Sequence, residues 1–406
     1  MVEKRISFYK LKKLVSQNYG FLNSLSGGNL FTPLTSSQKI YREFYSSISN
    51  AKKSINMEFF IFQADDVGKR FADLLCKKAK EGVKVNVILD FLGAYPFKER
   101  ARLYQNMIKE GVNLRFSLSF SDIIKSLLMK GKYFRRGGIR LFFRRNHRKI
   151  LVIDGETAYT GGVNIGKQYF WSEESEEDVW HDFQFKVQGP AVNFFQAEFF
   201  RTWISDGGKI DIKNLHLYFK KQEFFKDGIY LNVLTNSFGK FNKLLKPIIR
   251  AIHSARKYVY VENPYLLNRK IVQSLCDAAE RGINVVVLTS LEKQDFNFMR
   301  IFVERSLIKL HKSGVKVFIY PKTLLHGKAM LIDGKIAIVG TANLNNRSFY
   351  WDYELNMEVF DRNALLQIKK EIFEKDLVIS ERFTRTEGKF FSKFRYALVH
   401  FLENFS

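Results

Sequence analysis

Two stretches of this chain, "LLCKKAKEGVKVNVIL" and "SLCDAAERGINVVVLT", align without a gap. They place Cys76 with Cys276, Ala79 with Ala279 and Gly82 with Gly282, 200 residues apart. A 406-residue chain that carries one such unit twice is restricted to two copies of one architecture, each long enough to bury its own core. Each copy opens with a helix-like stretch running into an apolar strand, "SSISNAKKSINMEFFIF" in the first and "IIRAIHSARKYVYVENPYL" in the second. A helix follows that ends on Glu-Gly or Arg-Gly, a C-cap signal, and then a second apolar strand, "VKVNVILD" or "INVVVLTS". Helices alternating with β-branched runs predict an α/β fold of two pseudo-symmetric α/β/α halves, each around a mixed, largely parallel sheet. The two cysteines sit at equivalent positions of separate copies, so they read as buried helix residues of a reducing compartment rather than as a disulfide.

Further along, the repeat turns polar. "NHRKILVIDGETAYTGGVNIG" and "LLHGKAMLIDGKIAIVGTANLNN" each carry His-x-Lys, then Asp-Gly seven residues after the histidine, then Gly and Asn. Asp-Gly after an apolar run is a hairpin-turn signal. Side chains two apart on an extended segment share a face, so His147 and Lys149 point one way, as do His326 and Lys328. Asp154 and Asp333 have the other parity and sit at the turn, which reads as structural support for the motif. A lysine beside each histidine opposes a bound cation, and no paired Cys, His or carboxylate ligands occur at usable spacing, so no metal is expected in this chemistry. The pairs suit a phosphate: ammonium groups neutralise its oxygens while imidazole acts as nucleophile or moves a proton. Asn164 and Asn343 add amide donors, and Gly161, Gly162 and Gly340 permit close backbone approach. Displacement at a phosphodiester needs a nucleophile on one side and a proton donor on the other, which explains two copies meeting at one interface. Each histidine also needs a carboxylate to orient its ring. Asp182 in "VWHDFQFKVQGP" and Glu358 in "ELNMEVFD" are the expected partners, with Glu354 as a substitute for the second.

Lys+Arg total 66 against Asp+Glu 41, a net charge of +25, which points to a polyanionic partner, either an anionic lipid surface or nucleic acid. The 40 Phe and 18 Tyr favour a greasy substrate or interface over purely electrostatic nucleic-acid binding. No run reaches the roughly 18 apolar residues of a spanning helix, and the basic start "MVEKRISFYKLKKLVSQNYG" has no apolar core, so no signal peptide is expected. The halves differ in length: the histidines are 179 residues apart rather than 200, which places extra residues in the first half, a basic amphipathic segment at about 116–145. The expected organisation is a basic arm at 1–35, a first half at 36–210, and a second half at 211–406 ending in the aromatic, basic "KFFSKFRYALVHFLENFS".

The doubled His-x-Lys-x4-Asp pattern, with "GPAV", "NPYL" and "GTANLNNRSF…ELNMEV", resembles the phospholipase D superfamily, and within it the bacterial cardiolipin synthases of the short type without N-terminal membrane helices. The resemblance runs from about residue 36 to the C-terminus. It implies catalysis by His147, Lys149, Asp154, His326, Lys328 and Asp333 through a phosphohistidine, without a cofactor, His147 being the nucleophile in the pattern many relatives follow. It further implies that Lys149, Lys328, Asn164 and Asn343 hold the phosphate while Asp182 and Glu358 orient the histidines. The function it implies is transfer of a phosphatidyl group between two phosphatidylglycerol molecules, giving cardiolipin and glycerol, by a peripheral enzyme on the cytoplasmic face of an anionic membrane with no obligate protein partner. A phospholipase D hydrolase shares the first step, and a phosphodiesterase nuclease is the further alternative. The residues "YWDY", inserted between "NNRSF" and "ELNMEV", depart from the family pattern beside the site and leave the acceptor alcohol open.

Overall fold

A computed structural model describes residues 6–20, 22–118, 144–170, 179–237, 243–291 and 299–386. Most of the expected basic insertion (119–143) and the C-terminal tail from 387 lie outside the described residues. The helix over Asp66–Lys80 ends at Glu81, with Gly82 at φ 88° and Val83 N–H donating to Lys78 O at 3.1 Å. The second copy closes Arg269–Glu280 identically, with Gly282 at φ 84° and Ile283 N–H on Ala278 O at 3.1 Å. Both are glycine C-caps that a side chain would strain.

The first-half sheet runs β4 (Asn113–Ser117), β3 (Lys84–Asp90), β2 (Ser54–Phe59), β5 (Ile150–Ile153), β6 (Thr157–Gly161), β7 (Gln184–Gln188) and β1 (Leu25–Leu34). The second repeats this order as β11 (Lys316–Ile319), β10 (Asn284–Thr289), β9 (Tyr258–Glu262), β12 (Ala329–Ile332), β13 (Ile336–Gly340), β14 (Glu354–Val359) and β8 (Ile229–Asn236), with short β15 (Glu381–Arg382) beyond β11. Antiparallel pairing of β1 with β8 joins the halves into one 15-stranded sheet. The sheet is less parallel than expected. Only β2–β3–β4 and β9–β10–β11, linked by crossover helices, are parallel. Among the described residues the other strand-to-strand pairings are antiparallel, and the Asp-Gly turns fold β5 onto β6 and β12 onto β13 as hairpins.

Of the basic arm expected at 1–35, the described residues are instead integral to the fold. Residues 25–34 are the strand that joins the halves, and the Phe8–Tyr19 helix buries Leu11 and Val15 against the Ala191–Ser205 helix. Its few apolar residues recur on one face, and that face is covered. The halves also share a core, where Ile150, Phe185 and Val187 meet Leu331, Val339 and Met357. Cys76 and Cys276 are both free and buried.

Asp154 and Asp333 hold the hairpins. Each sits at φ 54° before its glycine, as the tight turn requires. The Asp154 carboxylate accepts backbone N–H bonds from Lys52, Lys53 and Ser54 at 2.7–2.9 Å, pinning the start of β2. Asp333 does the same at β9, accepting from Arg256, Lys257 and Tyr258 at 2.8 Å. Replacing Asp333 by Ala therefore removes three hydrogen bonds, two of them open to water, and is expected to cost about 1–2 kcal/mol. Thermal unfolding should show a lowered midpoint while turnover per folded molecule is kept; a loss of turnover at full stability would instead give Asp333 a direct part in catalysis.

Candidate active site

The two polar motifs lead into β5 and β12, and each is pinned by a bridge to the other half. Asn146 pairs in parallel with Tyr353, so His147 N–H donates to Tyr353 O at 3.0 Å. His181 pairs with Leu325 in the same way, so His326 N–H donates to His181 O at 2.7 Å. The residue after each bridge supplies a carboxylate. Asp182 Oδ2 lies 2.5 Å from His326 Nδ1, and Glu354 Oε1 lies 2.9 Å from His147 Nδ1. Each histidine is thus oriented by the opposite half.

Of the two carboxylates expected beside the histidines, the structure brings Asp182 to a ring and leaves Glu358 away from one. Glu358 accepts from Asn232 Nδ2 at 2.6 Å, four residues further along β14, and Glu354 takes its place. Glu354 is completely buried and also accepts from Ser348 Oγ at 2.6 Å and from Thr341 Oγ1. Ser348 and Thr341 stand in the "GTANLNNRSF" stretch and Tyr353 in the inserted "YWDY", but no pattern in the chain gives any of them a role in the site. The inserted residues 350–353 thus deliver the Tyr353 carbonyl, and Asp352 Oδ1 accepts from Arg145 N–H at 3.0 Å beside it. Asp182 fits because position 162 is glycine: a Cβ there would come within 2.1 Å of its carboxylate.

The lysines lie as their parity predicts, each folded back on its histidine: Lys149 Nζ donates to His147 O at 2.7 Å and Lys328 Nζ to His326 O. Arg148, on the other parity, is completely buried between the halves, with Nη2 donating to Glu198 Oε2 at 3.2 Å and to Asn236 O at 2.8 Å. Asn164 is committed within its own half, accepting from Ile61 N–H at 3.1 Å and donating to Tyr169 OH at 2.9 Å. Asn343 keeps its side-chain oxygen without a hydrogen-bond partner among the described residues. Aromatic rings wall the site: Phe60 is 5.2 Å from His147, and Trp180 and Tyr169 are 5.4 and 5.8 Å from His326. Asp154 and Asp333, grouped with the catalytic residues by resemblance, stand at the far ends of their strands as backbone braces.

Burial sets the charge states. It pushes the His147 imidazole well below its ordinary range, and the cations of Lys149 and Lys328 push the same way. His147 is thereby kept neutral. Lys149 is lowered to about 7, chiefly by burial, against the opposing pull of Glu354. Glu354 is raised to about 7, again by burial, which outweighs Lys149 and the Ser348 hydroxyl. A neutral imidazole between two lysines, with its Nδ1 held by a carboxylate, leaves Nε2 to attack an electrophile; the lysines suit an anionic one.

A family model described as "Cardiolipin synthase, PLD-like domain" matches residues 44–203 and 248–377, one segment in each half. The cardiolipin synthase of Clostridium perfringens (strain SM101 / Type A) is 29% identical over 92% of this chain and 76% of its own length. That of Staphylococcus aureus (strain Mu50 / ATCC 700699) is 29% identical over 92% of this chain and 72% of its own. Among solved structures, phosphatidylserine synthase of Haemophilus influenzae Rd KW20 shares the fold with a TM-score of 0.66 at 18% identity, covering 93% of this chain and 92% of that one. Polyphosphate kinase from Porphyromonas gingivalis shares it with a TM-score of 0.52 at 14% identity, over 92% of this chain and 55% of that one.

Two outcomes follow from the geometry. Glu354→Gln should lower kcat by about 10²–10⁴-fold through loss of ring orientation, whereas Glu358→Gln should leave it near wild type; the reverse order in steady-state kinetics would reinstate Glu358. If cationic Lys149 binds the anion, kcat/KM should fall as pH rises through about 7, because deprotonation removes the charge that binds. In Lys149→Arg that alkaline limb should disappear, since guanidinium stays charged. A limb unmoved in the variant would assign it to another group.

Proposed function

Because this chain belongs to the phospholipase-D-like family of the cardiolipin synthases, we propose that it is a phosphatidyltransferase making cardiolipin from two phosphatidylglycerol molecules. The observation that carries the reading is the pair of histidines, each held at Nδ1 by a carboxylate of the other half. In the first step neutral His147 Nε2 attacks phosphorus and the bond to the glycerol headgroup breaks. His326 gives that leaving oxygen its proton, so glycerol departs and a phosphatidyl-histidine remains. In the second step a hydroxyl of another phosphatidylglycerol gives its proton back to His326 and attacks phosphorus. The nitrogen–phosphorus bond then breaks and cardiolipin forms. The depressed basicity of His147 supports giving it the nucleophile's role, because an imidazolium cannot attack. Glu354 balances the positive charge that develops on the ring, and Lys149 and Lys328 face the phosphate oxygens.

The surface supports contact with an anionic bilayer. Leu92, Tyr95 and Phe97 are exposed on one loop, followed by Lys98, Arg100 and Arg102. The loop is close to the chemistry: Gly93 lies against Phe60, whose ring packs on His147. Rings at the headgroup level flanked by cations, each contributing about 1 kcal/mol near an anionic surface, fit a peripheral enzyme. No helix among the described residues is long and apolar enough to cross a membrane. The same +25 charge acts over the whole chain, and the cytoplasmic leaflet is where such a charge finds anionic lipid.

Purified protein given phosphatidylglycerol vesicles should yield cardiolipin and free glycerol by mass spectrometry. Phosphatidic acid as sole product would make water the acceptor, and cleaved DNA with untouched lipid would mean a different phosphodiester. His147→Ala and His326→Ala should each abolish turnover yet still sediment with vesicles. Turnover retained in both would remove the phosphohistidine mechanism.

A further inference from the structure

The two halves treat one buried glutamate differently. Glu58 on β2 and Glu262 on β9 are equivalent, each one strand away from the residue that opens its motif strand: Glu58 lies opposite Ile150 and Glu262 opposite Ala329. Both are completely buried. In the first half, Glu58 accepts from Asn146 Nδ2 at 2.7 Å and Thr202 Oγ1 at 3.0 Å and feels the buried cation of Arg148. The second half has lost these partners. The residue matching Asn146 is Leu325, and the one matching Arg148 is Gly327, where the Phe183 ring would lie 2.1 Å from any added Cβ.

Among the described residues no N–H or hydroxyl donor reaches either oxygen of Glu262, and a hydrogen bond to it can come only from a protonated neighbouring carboxylate. What stands beside it is a second buried carboxylate, Asp376, carried by the Lys375–Ile379 helix. Two adjacent buried carboxylates repel, and their ion-pair partner among the described residues is a single imidazole, charged only when protonated. The third member is His181, whose Nε2 lies 2.7 Å from Asp376 Oδ2 and 3.9 Å from Glu262 Oε1. One ligand atom from each of the three falls within 4.8 Å of the others. The His181 ring is stacked on Tyr320 at 4.8 Å, which fixes its direction, and its side chain keeps 19% exposure, which leaves a path from solvent.

We propose that His181, Glu262 and Asp376 bind one divalent transition-metal ion. An imidazole nitrogen with two carboxylate oxygens is a ligand set for the manganese-to-zinc series, and its two negative charges match the ion's two positive ones. The ion supplies what Arg148 supplies in the first half. It also ties the Lys375–Ile379 helix to β9 and to the bridge at His181. That bridge carbonyl receives both His326 N–H and Gly327 N–H, at 2.7 and 3.1 Å, so the ion positions the lead-in to His326 without touching substrate. Residues 181, 262 and 376 are too far apart in the chain for any spacing pattern to reveal the set.

The test uses the full chain stripped with EDTA and titrated calorimetrically with ZnCl2 and, separately, MnCl2. One equivalent per chain should bind, and the thermal unfolding midpoint should rise on loading. Both effects should vanish in Glu262→Gln and in Asp376→Asn, variants that keep the shape and relieve the repulsion, with folding checked by circular dichroism. If wild type binds no metal while Glu262→Gln is stabilised, the two carboxylates share a proton and the proposal is overturned. An equivalent that survives in both variants lies elsewhere and overturns it as well.

Discussion

The exchange of carboxylates between halves is the interaction on which the rest depends. Neither half alone can orient its own histidine: Asp182 serves His326, and Glu354 serves His147. This requires the halves to be held in one register, which explains why the sheet is continuous through β1 and β8 and why the core is shared. It also gives Arg148 its place. Its guanidinium reaches Glu198 of the first half and the Asn236 carbonyl of the second, so a buried ion pair fixes the same register that the histidine–carboxylate pairs need. A buried pair of this sort adds little net stability against an apolar replacement; its contribution is to specify one arrangement.

On the proposed reaction, the symmetry is broken where the chemistry needs it broken. A displacement reaction asks two histidines to begin in different states, one neutral and one carrying a proton. The Glu354 carboxylate is shared among His147, Ser348 and Thr341, while Asp182 is held by the Phe183 backbone N–H and the His326 ring. The bridge residue preceding each carboxylate also differs, Tyr353 in one half and His181 in the other. Identical folds therefore present their imidazoles in unlike electrostatic settings.

Much of this could be read from the chain, because a repeat reports on itself. The gap-free match at Cys76 and Cys276 predicted the crossover units and their glycine caps, and the Asp-Gly pairs predicted the hairpins. Strand parity correctly set His and Lys together and Asp apart. Parity could not separate Glu354 from Glu358, since both face the same side of β14; four residues of strand rise, roughly 13 Å, decide between them. The discriminating signal lay in the repeat. Aligning "DFQFKV" with "ELNMEV" puts Asp182 on Glu354, and the sheet confirms it, with Gly161 opposite Gln184 and Gly340 opposite Asn356. The strand at 25–34, matched by β8 in the second half, was hidden for another reason: its Gly-Gly and Pro weaken the strand pattern.

The charge held in the site connects the fold to substrate choice. Burial draws Lys149 and Glu354 toward neutrality from opposite directions, so before an anion arrives the site carries less charge than its residue list suggests. A phosphodiester brings the negative charge that the lysines lack in this dry interior. Its binding favours the cationic form of Lys149, and with it the electrostatic support that the pentavalent transition state needs most. A neutral lipid would have to bury the same groups without supplying that charge. If the proposed reaction holds, selection for a phosphodiester over an uncharged ester arises from the depth at which the two halves enclose their lysines.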